Sequence, residues 1–126
     1  MKEYEGFYVC PDCGTVADLI NNNGEKIICD GKEMKPLAAN SVDAAEEKHV
    51  PVYERYDDEI VVNVGSVDHP MEKDHYIMWI AMVTDNKMCR TTLYPEQAPT
   101  ARFKYVPGAA IYAYCNKHGL WMTKVD

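Results

Sequence analysis

The stretch "AYCNKHGLW", residues 113–121, sets Cys115 three positions before His118. A thiolate and an imidazole at that spacing can reach one metal ion from a single tight turn. The chain has four histidines, His49, His69, His75 and His118, each at a strand edge or in a turn. "HPMEKDH" offers two imidazoles from one loop, "CNKHG" a thiol and a third, and "EKHVP" a fourth. Taken singly, each reads as an ordinary surface histidine, and C-x-x-H arises readily by chance. As a group they are five donors on loops that converge if they lie at one end of a β-sandwich. Structural zinc prefers four tetrahedral ligands. Five donors suit a six-coordinate transition ion with one open position, and imidazoles with one thiolate suit iron among others. A thiolate opposite an open site pushes electron density toward whatever binds there, which points to redox iron and a small oxygen-derived ligand.

Short strands must position these donors. "VPVYERY" and "EIVVNVG" flank "DD", which reads as a hairpin turn. Ile60, Val62 and Val64 alternate and would share one face. "HYIMWIAMVT" is apolar on both parities and suits a strand buried on both sides. "KMCRTTLY", "ARFKYV", "AAIYAYC" and "GLWMTKV" complete an all-β set separated by Pro- and Gly-bearing turns, as in a β-sandwich. Upstream the pattern breaks near residues 36–48. "KEMKPLAANSVDAAEEKH" is polar and lacks alternation, so it is expected to be a linker with a helical turn at "VDAAEEK". Before it lies a small unit of short strands, "GFYVC", "TVADLI" and "KIIC", punctuated by "PDCG", "NNNGE" and "CDGKE". The expected division is 1–36 and 37–126.

Composition bounds the partners. A formal net charge of −7 argues against nucleic acid or an anionic membrane, both of which would repel the chain. "MKEYEGFYVC" carries acidic residues and no long apolar run, so no signal peptide is expected there. "YIMWIAMV" is too short to span a bilayer. A cytoplasmic location is the default expectation. The five cysteines, an odd count, argue against a disulfide framework and toward metal.

"EEKHVPV", "VGSVDHPMEKDHYIMWI" and "AYCNKHGLW" together resemble the desulfoferrodoxin and neelaredoxin family of superoxide reductases. The resemblance covers residues 40–126 nearly end to end and the N-terminal unit more loosely. It implies an immunoglobulin-like sandwich carrying one non-haem iron. His49, His69, His75 and His118 would be equatorial ligands and Cys115 the axial thiolate. The reaction it implies is one-electron reduction of superoxide to hydrogen peroxide. Lys48 would supply a local positive focus for the anion in a molecule that repels it overall. Glu47 matches the mobile glutamate that caps the sixth position of the oxidised iron. The resemblance further implies re-reduction by an external donor such as rubredoxin, and a homodimer.

The N-terminal "CPDC" and "CD" resemble a desulforedoxin-like unit, whose pattern is C-x-x-C and then two adjacent cysteines around a tetrahedral iron. Cys10, Cys13 and Cys29 align, but Asp30 stands in the fourth position. A tetrathiolate iron is therefore excluded. Asp30 as ligand, a three-cysteine site completed from elsewhere, and free thiols all remain open. A unit below about 40 residues seldom folds alone without metal, disulfide or oligomerisation, although docking on the sandwich could substitute. Cys89 matches no ligand position and reads as a small buried hydrophobe in a strand. Two other functions compete with the enzyme: a non-catalytic metal-binding or electron-transfer module of the same fold, and a zinc-bound structural protein.

Overall fold

The computed structural model describes residues 4–126. The chain divides into two compact units, one ending at Ala38 and the other covering Ala39–Asp126.

In the first unit, β1 (Phe7–Val9) pairs antiparallel with β2 (Val16–Asp18). The hairpin formed by β3 (Ile28–Cys29) and β4 (Lys32–Glu33) follows, and β5 (Lys35–Pro36) returns to pair with the other side of β1. Here the structure corrects the expected linker, because the opening residues of "KEMKPLAAN" are β4 and β5. Strands of two residues carry no alternation, and only their main-chain partners reveal them. The β3–β4 turn is Asp30-Gly31, with φ values of 47° and 78°. Left-handed backbone at both central positions is the type I′ hairpin turn, for which Asp-Gly is a favoured pair.

The second unit is a two-sheet sandwich. α1 (Glu46–His49) is a single turn leading into β6 (Pro51–Tyr56). β7 (Glu59–Val64), β8 (Ile77–Val83), β9 (Met88–Thr92), β10 (Thr100–Lys104), β11 (Ala110–Cys115) and β12 (Gly119–Lys124) follow. One sheet has the order β10-β7-β6 and the other β12-β11-β8-β9. The expected hairpin at Asp57-Asp58 is present, closed by the Tyr56–Glu59 pair, with Asp57 at φ 55°. Asp tolerates that left-handed conformation better than most residues.

The core lies between the sheets. Ile60, Val62 and Val64 from β7 face Ile77, Ile80 and Met82 from β8 and Ile111, Ala113 and Cys115 from β11. Ile77 and Ile80 differ in parity, yet both reach the core. A register shift pairs Tyr114 with Trp79 but Cys115 with Ile77, so Met78 is bulged and the pleat inverts. Tyr112 and Tyr114 point to the opposite face of the same sheet and are also buried. The expectation for Cys89 is corrected as well: it is exposed. β9 is the edge strand of its sheet, and polar neighbours on both parities leave no apolar side to bury.

Register also decides where the loops meet. Pro51 pairs with Val64, Cys115 with Ile77, and Cys115 with Gly119. The start of β6, the end of β7, the start of β8 and the β11–β12 turn therefore share one end of the sandwich.

Candidate metal centre

Three segments deliver donors to that end. The first is α1, whose last residue, His49, is 3% exposed. Its Nδ1 donates to the Ala45 carbonyl oxygen at 2.7 Å. A carbonyl only accepts, so the proton sits on Nδ1 and Nε2 keeps a free lone pair.

The second segment is the β7–β8 loop. His69, 2% exposed, repeats the arrangement, with Nδ1 donating to the Pro70 carbonyl at 2.7 Å. His75 is held by reciprocal main-chain bonds with Glu72, at 2.9 and 3.2 Å. The third segment is the turn of Asn116, Lys117 and His118 between β11 and β12, which Gly119 ends at φ 80°. Cys115, last residue of β11, is fully buried in the core.

The four rings close a circuit. Centroids of His49 and His69 are 4.6 Å apart, of His69 and His75 4.8 Å, of His75 and His118 5.1 Å, and of His118 and His49 4.8 Å. Each adjacent pair meets edge to face, at 74–86°. One donor atom from each of His49, His69, His75 and Cys115 lies within 4.8 Å of the others. His118 falls outside that tightest group but joins it through Nδ1, 3.1 Å from His49 Nε2 and 3.9 Å from Cys115 Sγ. All five donors expected from the sequence are thus brought together.

The residues fit a metal ion. His69 Nε2 and His75 Nε2 are buried without a hydrogen-bond partner. An unsatisfied buried polar atom costs about 1–3 kcal/mol, and two on residues of one donor cluster ask for a shared cation. Two imidazole nitrogens bound at a right angle, with bonds of about 2.1 Å, would stand about 3.0 Å apart. The His49–His118 pair has that separation.

Electrostatics agree. Burial, followed by repulsion from neighbouring cations, holds His75 below the usual imidazole range. Burial also pushes His49 down, against the Ala45 hydrogen bond, and brings His69 to about 4. These imidazoles are neutral and able to ligate at neutral pH. Burial raises the Cys115 thiol, opposed by the amides of Lys117 and His118. A cation is what would hold that buried sulfur as thiolate.

Sequence reasoning missed two of the residues that brace the ligands, Asn116 and Gly65. The Asn116 side chain accepts from Tyr76 N at 3.0 Å and donates to the Asp74 carbonyl at 3.0 Å. It ties the Cys115–His118 turn to the loop carrying His75. Trp121 stacks on His49 with centroids 5.0 Å apart, and its indole N–H donates to the His118 carbonyl at 3.0 Å. Gly65, at φ 84°, lies against the α1 backbone. A Cβ there would sit 2.7 Å from the Glu47 carbonyl oxygen and 2.8 Å from Lys48 C. Only the glycine before a ligand loop, in "NVGSVDHP", hinted at this contact. Val67 N and Ser66 Oγ donate to the same Glu47 carbonyl, at 2.9 and 3.3 Å. Glu47 and Lys48 themselves are exposed, on the turn that carries His49 inward.

In the first unit, Cys10, Cys13 and Cys29 cluster with their sulfurs within 4.8 Å of one another. Asp30 is exposed in the β3–β4 turn, and its carboxylate is outside that group. Hydrogen bonds from Thr15 hold the Cys13 thiol down to about 7.

Comparison with known proteins gives the same assignment. The Desulfoferrodoxin family model matches residues 41–124. A desulfoferrodoxin from Syntrophotalea carbinolica is 42% identical over 125 residues, covering 98% of this chain and 99% of that protein. Another from Desulfarculus baarsii is 43% identical over 126 residues, covering 98% and 99%. Among solved structures, the superoxide reductase of Treponema pallidum superposes with a TM-score of 0.75 at 31% identity, over 98% of this chain and 100% of that one. The donor circuit, the sandwich that builds it and these near full-length likenesses agree, and the chain belongs to the desulfoferrodoxin family.

Proposed function

We propose that this chain is a superoxide reductase, reducing superoxide with one electron and two protons to hydrogen peroxide. The observation that carries the reading is the closed circuit of four imidazoles beside one buried thiol, with two buried Nε2 atoms left without a hydrogen-bond partner. The superoxide reductases among its structural relatives support it. His49, His69, His75, His118 and Cys115 would hold an iron, which would supply the electron. The chain supplies neutral imidazoles, so the site stays cationic, and a thiolate buried away from water.

Lys48 draws the anion in. The molecule carries a net charge of −7, and an exposed ammonium next in sequence to a ligand offsets that field where it matters. Glu47, on the same turn, would offer its carboxylate to the iron in the oxidised state. An external one-electron donor such as rubredoxin re-reduces the site, and the protein works as a homodimer in the cytoplasm. Among the described residues no helix is long and apolar enough to cross a membrane.

The test is the rate of superoxide consumption by reduced, iron-loaded protein across ionic strengths. Lys48→Ala is expected to slow the second-order rate about tenfold and flatten its salt dependence. An unchanged rate would remove Lys48 from the account. Failure of the parent protein to consume superoxide would leave a non-catalytic metal module.

A further inference from the structure

We propose that Cys10, Cys13 and Cys29 hold one thiophilic divalent cation of the zinc class through three thiolates, its fourth position open to a small exogenous donor. A tetrathiolate iron does not fit here. Asp30, the residue beside Cys29, serves the type I′ turn at φ 47°, and its carboxylate stands outside the sulfur cluster.

Three observations build the site. Cys13 Sγ and Cys29 Sγ are 3.7 Å apart. Two sulfurs on one tetrahedral ion, each bonded at about 2.3 Å, are separated by about 3.8 Å. The thiols already stand at the edge length of such a tetrahedron, and too far apart for a disulfide.

The backbone is also shaped for it. Cys10 and Cys13 flank a tight turn in which Gly14 N donates to the Cys10 carbonyl at 2.9 Å and Cys10 N to the Thr15 carbonyl at 2.8 Å. Gly14 takes φ 77°, a left-handed conformation suited to glycine. The β3–β4 hairpin presents Cys29 to the same point.

Third, the unit needs a staple. Among its described residues only Phe7, Cys10 and Met34 are buried side chains. A core of that size rarely holds a fold by itself. Cys13 is exposed, so the side of the cluster left without a fourth sulfur faces water, where a water molecule or a free thiol can reach the ion.

The protein purified with its iron would be titrated anaerobically with zinc, and both metals counted in the same sample. One zinc per chain beyond the iron is expected. Cys13→Ser should lose it, and Asp30→Ala should keep it. Cobalt(II) in zinc's place should show charge-transfer absorption of three thiolates. Adding 2-mercaptoethanol should shift the cobalt visible bands alike in the parent and in Asp30→Ala, by filling the open position. Absence of uptake by protein whose thiols titrate as reduced would overturn the proposal. So would loss of uptake in Asp30→Ala, which would make the carboxylate the fourth ligand. A Cys13–Cys29 disulfide in freshly prepared, metal-poor protein would overturn it as well. Because Cys13 is exposed, its serine variant should match the circular dichroism of the metal-free parent. Asp30→Ala supplies an independent reading.

Discussion

A single side chain, Asn116, joins two ligand segments. It bonds to Tyr76 N and Asp74 O, on either side of His75, and its own residue sits between Cys115 and His118. Asn116→Ala removes both bonds while leaving every ligand in place. Loss of such outer-shell support typically lowers metal affinity 10–100-fold. That loss is expected here, measured by competition with a chelator, and unchanged affinity would show that the ligand loops hold themselves. The imidazoles also predict a pH dependence. In the metal-free fold His69 is held to about 4, and His49 and His75 lie below their usual value. In the unfolded chain they titrate near about 6.5. Between those values the unfolded state binds more protons, so stability rises with pH and falls on acidification below about 6.5. Metal-free protein should therefore melt at a lower temperature at pH 5 than at pH 7.5. Replacing His69 with Gln should shrink that difference, and an equal difference would assign it to other groups.

At the scale of elements, the single turn α1 is too short to be stable alone. It is clamped by the β7–β8 loop, through Gly65 and the bonds to the Glu47 carbonyl. Gly65→Ala would force a β-carbon into that backbone and strain a left-handed conformation. A cost of about 1–3 kcal/mol is expected. The clash falls on the Val67 carbonyl oxygen and on the backbone of Glu47 and Lys48, so the superoxide rate should fall more than iron content does. Equal losses would mean the substitution merely disrupts the fold. The sheets themselves depend on ordinary packing. Ile111, the second residue of β11, is fully buried, and Ile111→Ala should cost about 2–5 kcal/mol in denaturant melts.

For the whole molecule, metal content couples to stability and to electron count. Chelation leaves two buried nitrogens unpaired and is expected to lower the melting temperature of the Ala39–Asp126 unit. A zinc-class ion in the first unit has no accessible one-electron couple. Reductive titration of the fully loaded protein should then consume about one electron per chain. A second equivalent would reveal a second redox iron.

Most of the site was legible in the sequence because ligand chemistry restricts residue type. Four histidines at strand ends and a cysteine in "CNKHG" had few other shared purposes, and the alternation of Ile60, Val62 and Val64 announced the sandwich. Even the open question about Asp30 was visible as a break in the cysteine pattern. Tertiary structure decided what depends on partners distant along the chain. The two-residue strands β4 and β5 are too short for any period. The exposure of Cys89 follows from β9 being an edge, and strand order is a property of the assembled sheet. The fit of Gly65 against α1 and the grip of Asn116 on both sides of His75 exist only once separate segments touch. Residue type carries the capacity to bind a metal. The bond angles at that metal come from register, bulge and turn, which join residues that the sequence keeps apart.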